Sequence, residues 1–324
     1  MLDKKTVLTD LNQEMIKPVD EIAVSFVMVV KSEFGAKKLS LYSFTVFCLL
    51  GTNVNEMTNF MRLSFSLLIS TIFVVSCTRV EQVDWEDGTW IDLTHEYSEE
   101  TVYWPTSSTF QLDTVFVGEA EGGYYYEAYS LTTAEHGGTH LDAPIHFFEG
   151  GQTVEEIGID QLTGKAVVID VSDQVSQNRD YQIQPSDITE WEREYEPIPS
   201  GSIVLFYTGM SVHWPDAEAY LGTANRGEEA LPELSFPGIH PDAAQWLVDN
   251  QNIRAVGLDT ASLDYGQSEL YETHQILFEH NIPGFENVAN LDQLPATGAY
   301  VIALPMKIKE GSGAPLRIIA HISE

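Results

Sequence analysis

Short runs of apolar residues recur along the last three-quarters of the chain, and their pattern predicts a domain rich in β-strands. An unbroken apolar run is expected for a strand that is buried on both faces, whereas alternation of apolar and polar residues indicates one exposed face. Residues 124–133 alternate and lead into a histidine-rich segment. The other predicted strands are mainly continuous runs, at 166–171, 202–207, 254–258, 300–304 and 316–321.

Three helices are predicted between these strands. Ser186 is expected to cap a helix over 187–195. A proline opens the run 241–248, whose apolar residues have helical spacing, and a threonine is expected to cap a third helix over 273–279. Helices that alternate with buried strands predict an α/β fold, as a single domain with a mixed, twisted β-sheet flanked by helices.

The front of the chain has a different character. Arg62 precedes an apolar run over 63–75, and Ser76 and Cys77 follow it. A positive start, a short apolar core and a small residue before the cut are the parts of a secretory signal. The run is shorter than the ~20 apolar residues that span a bilayer. Because Cys77 directly follows Val-Val-Ser, the segment resembles a bacterial lipoprotein box, which implies cleavage before this cysteine and its acylation. The alternative is a short hydrophobic helix that packs on the domain.

This interpretation divides the chain into four parts. Residues 61–77 form the signal, 78–84 a short linker and 85–324 the main domain. Residues 1–60 show no clear amphipathic period and no usable motif, so we expect a spurious or unstructured extension, with a genuine extension of unknown role as the alternative. The predicted location is that of an exported bacterial lipoprotein, periplasmic or anchored at the outer membrane.

The composition excludes several partners and chemistries. The chain has 16 basic and 49 acidic residues, a formal net charge of −33. Such a surface repels nucleic acid and anionic headgroups, so we expect membrane contact only through the lipid anchor. The only cysteines, Cys48 and Cys77, precede the main domain, which therefore has no disulfide framework and no cysteine nucleophile. The sequence also contains no phosphate-binding loop, dinucleotide fingerprint or Gly-x-Ser-x-Gly elbow.

One segment carries most of the chemical information. Residues 136–146 read HGGTHLDAPIH and contain His136, His140, Asp142 and His146. Imidazole and carboxylate are ligands for zinc, manganese or iron. The glycine pair and the nearby proline disfavour a helix. We therefore predict a loop that leads into an extended segment, with His140 and Asp142 on one side of it. The alternative is a loop that is rich in histidine without binding metal.

The segment HGGTHLDAPIHF closely resembles the signature of the cyclase family of metal-dependent hydrolases, which includes bacterial kynurenine formamidases and isatin hydrolases. The matching positions are His136, His140, Asp142, His146 and Phe147. A second family element is a histidine twelve residues before a glutamate that asparagine follows, and it matches at His274 and Glu286. Residues 257–266, GLDTASLDYG, also look like family sequence, and the resemblance runs from about residue 92 to the C-terminus.

The resemblance implies a site for a divalent metal, zinc or manganese, with one or two ions per chain. In the two-ion arrangement, His136, His140 and Asp142 supply the first ligand set. Asp142 then bridges to a second ion, which His274 and Glu286 complete.

The same resemblance suggests which groups move protons. His146 is the expected proton shuttle that protonates the leaving amine, because histidine changes charge near neutral pH. Alternatively, it ligates the second metal. Glu286 could also handle protons in a one-metal enzyme. Candidate pocket residues are Trp104, Phe147 and Phe148, for which core packing is the alternative, and Asp259. Asp259 follows the predicted strand 254–258, where an unpaired carboxylate would be costly, so we expect it to hold a loop or a ligand through hydrogen bonds.

These features together predict a metal-dependent hydrolase that cleaves a formamide or a small cyclic amide, in the manner of an arylformamidase or an isatin hydrolase, by a metal-activated water. The alternatives are a lactone hydrolase or a cyclase or dehydratase on the same scaffold. A metal-binding lipoprotein without turnover is the alternative from another class. The resemblance also implies a homodimer or a higher homo-oligomer.

Overall fold

The computed structural model describes residue 85 and residues 87–323, together with the backbone of two strands near the start of the chain. These strands, β1 (Glu21–Val29) and β2 (Leu41–Leu49), form an antiparallel pair. The predicted signal and linker lie outside the described residues, as does the rest of the predicted extension, so these assignments stay predictions.

The chain divides into two compact units, Met1–Gln82 and Val83–Glu324. The strands described in the second unit are β3 (Thr89–Asp92), β4 (Gln111–Glu119), β5 (Tyr125–Thr132), β6 (His140–Asp142), β7 (Thr163–Asp170), β8 (Gln182–Ile183), β9 (Ile203–Tyr207), β10 (Gly238–Ile239), β11 (Ala255–Leu258), β12 (Gly284–Glu286), β13 (Ala299–Pro305) and β14 (Gly313–Ile322). The α-helices described there are α1 (Ser172–Gln177), α2 (Pro185–Glu194), α3 (Ala217–Leu221), α4 (Pro241–Asn250) and α5 (Glu272–Glu279). Short 3-10 turns lie at Pro144–His146, Val154–Glu156, Met210–His213, Glu228–Glu233 and Leu291–Gln293. No helix in the described part of the chain is both long and apolar enough to cross a bilayer.

Seven strands close into a barrel in the order β13-β7-β9-β11-β12-β6-β14, and β14 then pairs with β13. The four strands from β7 to β12 run parallel to one another, and the remaining pairings in the ring are antiparallel. An eighth strand, β3, pairs antiparallel with the C-terminal half of β14. The predicted α/β domain with a mixed sheet is confirmed, but the sheet is closed. The sheet closes because β13 pairs with β14. The local apolar pattern does not show which strands pair, so it could not predict this closure.

Alternate residues of the central strands pack into two separate cores. Ile203 and Leu205 of β9 belong to the core that the strands of the ring share, whereas Val204 and Phe206 belong to a second core beneath α2, α4 and α5. All four side chains are fully buried. Burial on both faces explains why this segment reads as an unbroken apolar run. The helices therefore cover the parallel part of the barrel instead of flanking two faces of an open sheet.

Two helices begin at positions other than the predicted ones. Helix α2 starts at Pro185, and the Asp187 side chain accepts a hydrogen bond from Gln184 N at 2.7 Å. Helix α5 starts at Glu272, and the hydroxyl of Thr273 donates to Ile239 O at 2.7 Å instead of capping. Both differences amount to one turn or less, which is the usual uncertainty of a helix end.

The predicted alternating strand at 124–133 is confirmed as β5, but it does not join the barrel. It pairs with β4 in a separate two-stranded ribbon. Nearly every residue of the ribbon is exposed. Because β5 ends at Thr132, the chain runs from this ribbon directly into the histidine-rich loop.

Candidate active site

Strand β6 carries two of the predicted ligands into the barrel wall. His140 and Asp142 are its first and last residues and are both buried. They lie on one side of the strand, as expected from their spacing. Strand β12 runs antiparallel beside β6, with Glu286 directly opposite His140. Direct pairing across a sheet puts two side chains on the same face, so the register joins residues 146 positions apart in sequence.

The side chains of these strands converge with His274 of α5. His140 Nε2 lies 3.1 Å from Asp142 Oδ1 and 3.4 Å from Glu286 Oε2. His274 Nε2 lies 3.2 Å from Asp142 Oδ2 and 3.2 Å from Glu286 Oε1. On the other side of the cluster, His136 Nδ1 lies 2.5 Å from Asp142 Oδ1. Four buried groups and one half-buried histidine thus meet in one place.

Each histidine is held in place by the ring nitrogen that points away from the cluster. His140 Nδ1 donates to Gly138 O at 2.9 Å, and His274 Nδ1 donates to the Asp264 carboxylate at 2.5 Å. A neutral ring that donates through Nδ1 presents the lone pair of Nε2, which is the form that binds a metal. His136 Nε2 lies 3.0 Å from Ser312 Oγ, and Ser312 Oγ donates to Glu135 at 2.7 Å.

The electrostatics of the cluster reflect its burial and its mixed charges. Burial would raise the pKa of Asp142, but the adjacent His136 and His140 hold it well below the usual range. Burial, together with Asp142, raises the pKa of Glu286. Burial lowers the pKa of His140, yet the two carboxylates outweigh this effect and raise it to about 9. Burial also lowers the pKa of His274, and hydrogen bonds to Asp142, Asp264 and Glu286 reverse the shift and raise it well above the usual range.

These groups fit a divalent metal. Buried carboxylates need compensating positive charge, and protons and metal ions compete for the same imidazole and carboxylate lone pairs. His140 Nε2 is buried and makes no well-aligned hydrogen bond, although two carboxylates lie nearby. An imidazole nitrogen that faces acidic oxygens without donating to them is suited to hold a cation.

Two groups of three potential ligands occur among the described residues. One comprises His140, Asp142 and Glu286, and the other comprises His136, Asp142 and His146. Within each group the donor atoms lie within 4.8 Å of one another. Asp142 belongs to both groups, which suits the predicted bridging role. His136 and His140 both approach Asp142 Oδ1, at 2.5 and 3.1 Å, so the ligand set of His136, His140 and Asp142 stays a prediction beside these two groups.

His146 lies in the 3-10 turn after β6 and stacks on His136, with ring centroids 3.8 Å apart. Burial lowers the pKa of His146 to about 4, so the ring is neutral at neutral pH. A neutral imidazole can accept a proton or bind a metal. The geometry therefore accommodates both roles that the sequence left open for this residue.

The glycine pair of the loop leaves room for two tyrosine rings. A Cβ on Gly137 would lie 2.1 Å from the Tyr103 ring, and one on Gly138 would lie 2.7 Å from the Tyr97 ring. Gly138 also has φ +59°, which favours glycine. These rings hold the loop against the barrel, and the Tyr97 hydroxyl donates to Thr139 O at 2.5 Å.

Asn287 and Thr139 fasten the same loop to β12. Thr139 Oγ1 donates to Asn287 O at 2.7 Å, and the Asn287 amide donates to Gly138 O at 2.8 Å. The buried Tyr220 hydroxyl lies 2.9 Å from Asn287 Oδ1 and donates to it. Thr139 therefore fixes the loop through its hydroxyl.

Asp259, a predicted pocket residue, is hydrogen-bonded to a loop. Its carboxylate accepts hydrogen bonds from the backbone or hydroxyl groups of Thr208, Gly209 and Ser211, at 2.7 to 3.3 Å. It does not line the cavity above the ligands. Burial raises the pKa of the Asp259 carboxyl group, and the hydrogen bonds act against this shift. Both carboxylate oxygens have hydrogen-bond donors. The carboxylate therefore holds the loop after β9, which is the role that its place at a strand end allows.

A cavity of about 280 Å³ opens above the ligand cluster, and four of its wall residues are aromatic. The residues that form its walls are Val102, Tyr103, Trp104, Ser107, Gly137, Phe147, Ala261, Ser262, Tyr271 and Asn287. Trp104 and Phe147 are thus where the sequence predicted them, whereas Phe148 packs against the helix-covered core. None of the described residues that line the cavity is lysine or arginine.

Tyr271 is one of the wall residues that sequence reasoning missed. It packs against Phe147 and Trp104, with ring centroids 5.1 and 6.4 Å away. Its backbone has φ +52° and ψ +45°, which is unusual for a bulky residue. Strained backbone of this kind tends to persist at functional sites, but the residue belongs to no spacing pattern that would have singled it out.

Comparison with known proteins agrees with this site. A family model described as "Putative cyclase" matches residues 91–265, more than half of the chain. An isatin hydrolase from Roseibium aggregatum is 30% identical over 59% of this chain and 73% of its own length. A kynurenine formamidase from Bacillus cereus is 29% identical over 71% of this chain and 96% of its own length. The chain belongs to the cyclase family.

Solved structures of the family share the fold. Isatin hydrolase A from Ralstonia solanacearum has a TM-score of 0.65 and 32% identity, covering 72% of this chain and 92% of its own. A structure described as a predicted metal-dependent hydrolase from Bacillus stearothermophilus has a TM-score of 0.53 and 25% identity, covering 72% and 98%. The family resemblance is confirmed. The prediction of a metal-dependent hydrolase is confirmed at the level of the family.

Several residues that orient the ligands were missed as well. Asp264 lies in the segment 257–266, which resembled family sequence, so a signal for it existed. Glu135 immediately precedes the first histidine of the motif, whereas Ser312 lies 177 residues further on, just before β14. Only the fold brings Ser312 to His136, because β14 pairs with β6 at that point.

Replacing Asp264 by Ala should weaken divalent-metal binding about 10- to 100-fold, the usual cost of losing a partner that orients a metal-bound histidine. His274 would lose the acceptor for Nδ1–H. Isothermal titration calorimetry with zinc and manganese would measure the effect, with thermal unfolding to check the fold, since Asp264 also accepts from the first turn of α5. Asp264→Asn should keep more affinity, and exposed Glu269→Ala is the control. Unchanged affinity in Asp264→Ala would contradict this role.

Proposed function

We propose that the protein is a metal-dependent amide hydrolase whose preferred substrate is an uncharged, planar aryl amide, best a small cyclic amide fused to an aromatic ring. One observation carries the proposal. His140, Asp142, His274 and Glu286 converge at the floor of a cavity whose described lining includes Tyr103, Trp104, Phe147 and Tyr271 and contains no lysine or arginine. An isatin-hydrolase-like activity fits this site better than a kynurenine-formamidase-like one.

The metal would be held by the two carboxylates and the histidines around them. His140, Asp142 and Glu286 form the better buried ligand group, with His274 beside it, and zinc or manganese suits these donors. A second ion would use His136 and the shared Asp142. When bound, a divalent ion supplies Lewis acidity that polarises a substrate carbonyl and acidifies a nearby water.

The chain's own groups then position the substrate and move protons. His146 stands beside the cluster as a neutral imidazole and is the group we assign to accept a proton from the attacking water and return it to the leaving amine nitrogen. Its ring is fixed by stacking on His136 and by an edge-to-face contact with Phe147, whose ring centroid is 4.5 Å away. Glu286 is fully buried and hydrogen-bonded to Leu263 N, which suits a ligand better than a mobile proton carrier.

The walls select the substrate by shape and charge. Trp104, Phe147 and Tyr271 offer flat surfaces on which an aromatic ring can pack. A substrate with a carboxylate would bring that charge into a cavity whose described lining offers no lysine or arginine to pair with it. An unpaired buried charge costs several kcal/mol. The amino-acid group of a formylkynurenine-type substrate is therefore disfavoured.

We also propose that the mature protein is exported and anchored by a lipid on Cys77. Support comes from the sequence alone: Arg62, the apolar run 63–75 and Ser76 stand in signal order before this cysteine. The hydrolase domain has no cysteine of its own, which suits an oxidising compartment. Such a location also separates the enzyme from cytosolic amino-acid breakdown.

The substrate proposal is tested with matched compounds. Metal-loaded full-length protein should hydrolyse a neutral bicyclic aryl lactam with a kcat/KM at least about 100-fold above that for an aryl formamide bearing an amino-acid carboxylate, because the unpaired charge costs a few kcal/mol. A neutral aryl formamide and an aryl lactone separate the effect of charge from that of the bond cleaved. Preference for the charged formamide would reject the selection by charge. Hydrolysis of none would support the metal-binding protein without turnover.

Two substitutions separate metal binding from proton transfer. His146→Ala should retain most of the bound metal and lose about 10²- to 10⁴-fold in kcat, the usual contribution of general acid–base catalysis. Asp142→Ala should lose metal and activity together, because this carboxylate belongs to both ligand groups. Metal content by mass spectrometry and steady-state kinetics give the two measurements. Loss of metal in His146→Ala would instead establish this residue as a ligand.

Processing is tested on protein expressed in a bacterial host. Mass spectrometry should find a mature chain that begins at Cys77 and carries the mass of an acyl modification, and Cys77→Ala should remain unprocessed or be released from the membrane fraction. Cys48→Ala is the matched control and should behave like the unaltered chain. Recovery of peptides from residues 1–60 in the mature protein would rule out this processing.

A further inference from the structure

One serine in the lining of the cavity has no part in the reaction as described so far. Ser262 lies in the turn after β11, which ends at Leu258. Strands β11 and β12 run parallel, with Gly257 opposite Phe285. Because parallel strands end at the same edge of a sheet, this turn lies where β12 ends in Glu286. Ser262 is 5% exposed and lines the cavity above the candidate ligands.

The turn that carries Ser262 is fastened to two of the candidate metal ligands. Leu263 N donates to Glu286 Oε1 at 2.8 Å. The Asp264 carboxylate accepts from His274 Nδ1 at 2.5 Å. The two residues that directly follow Ser262 in the chain therefore hold two of the ligands. The position of the Ser262 side chain relative to these ligands is fixed by the same hydrogen bonds.

The Ser262 hydroxyl group has a proton available to donate. Its oxygen accepts a hydrogen bond from Asp264 N at 3.3 Å, but no acceptor among the described residues takes its proton. A buried donor without an acceptor costs about 1–3 kcal/mol. Other buried hydroxyl groups nearby avoid this cost, since Thr139 and Thr260 donate to backbone oxygens at 2.7 and 3.0 Å. The free proton of Ser262 is therefore suited to a molecule in the cavity.

The other hydroxyl groups of the described lining differ from that of Ser262. The Tyr103 hydroxyl pairs with Thr133 Oγ1 at 2.6 Å. Ser107 and Tyr271 are only half-buried, so water can accept their protons. Among the described lining residues, Ser262 thus has the hydroxyl group that is both buried and free to donate.

We propose that Ser262 is a catalytic residue that donates a hydrogen bond to the carbonyl oxygen of the amide that is cleaved, an inference that rests on the proposed hydrolase function. The uncommitted atom is a proton, so its partner must be an acceptor, which excludes the amide N–H group. Donation to the attacking water would draw on its lone pairs and make it a weaker nucleophile. The carbonyl oxygen is the acceptor that gains from this hydrogen bond.

This hydrogen bond becomes stronger during the reaction. Attack by water forms the new C–O bond and moves the carbonyl π electron pair onto the oxygen, which becomes negatively charged. When the C–N bond breaks, this pair restores the C=O bond, and the nitrogen takes the proton that His146 removed from the water. A donor fixed beside the oxygen stabilises the anion more than the neutral carbonyl, so it accelerates the chemical step.

Steady-state kinetics of the metal-loaded full-length protein with the neutral bicyclic aryl lactam test this role. Ser262→Ala should lower kcat about 10- to 100-fold, at or below the usual effect of one oxyanion donor because a bound cation shares the charge. KM should change less than about threefold, since the interaction belongs to the transition state. Ser262→Thr keeps a hydroxyl group and should lose less activity. Unchanged kcat in Ser262→Ala, or an effect confined to KM, would overturn the proposal.

Ser202→Ala is the matched control. Ser202 is also buried, but its hydroxyl donates to Pro199 O at 2.6 Å, and neither residue belongs to the described lining of the cavity. This variant should lose thermal stability and keep kcat. Metal content by mass spectrometry should be the same in Ser262→Ala as in the unaltered protein. Loss of metal would show that Ser262 only supports the ligands, against the proposal.

Binding of two analogues gives a measurement that does not depend on turnover. Phenylphosphinate imitates the tetrahedral oxyanion, whereas benzamide imitates the planar ground state. By calorimetry, Ser262→Ala should bind phenylphosphinate about 10-fold or more weakly than the unaltered protein does and benzamide about equally. Equal affinity for phenylphosphinate would overturn the role of Ser262. If the unaltered protein hydrolyses no amide, the proposed function fails, and this titration alone decides whether Ser262 donates to an oxyanion in the cavity.

Discussion

Two carboxylates buried side by side are the constraint on which the rest of this structure depends. Asp142 and Glu286 lie in the wall of a barrel where water cannot solvate them, and unpaired charges there would destabilise the fold by several kcal/mol. The structure compensates them with histidines from three segments, each oriented through its outer nitrogen. The arrangement that makes the buried acids tolerable is therefore also the one that suits a divalent cation.

The barrel supplies the precision that this cluster needs. Glu286 faces His140 because β12 and β6 pair in one register, and a slip by one residue would turn the glutamate to the opposite face. Closure through β14 brings Ser312 to His136 in the same way. Placing ligands on paired strands, with tyrosines packed on the glycines of the loop, leaves little freedom for the site to relax.

Chemistry and selectivity come from different parts of the molecule. The floor of the cavity is built on strands and on the first turn of α5, whereas the walls come largely from loops such as the one that carries Trp104. Loops tolerate change more readily than barrel strands do. A family with one metal floor can therefore act on different amides, and we propose that the lack of lysine and arginine among the described wall residues sets the preference of this chain.

The sequence by itself predicted strands β5, β7, β9, β11, β13 and β14, helices α2, α4 and α5, and the histidine-rich part of the candidate site. Local apolar patterns reflect burial, and His136, His140 and Asp142 lie close enough in the chain for their spacing to carry meaning. The link to His274 and Glu286 needed the family resemblance, because nothing local joins residues so far apart. Only the tertiary structure decided that the sheet closes, that His136 stacks on His146, that Asp259 supports a loop and that Tyr271 and Asp264 lie beside the candidate ligands. These outcomes depend on pairings between distant strands and on side-chain packing, which residue order does not encode locally.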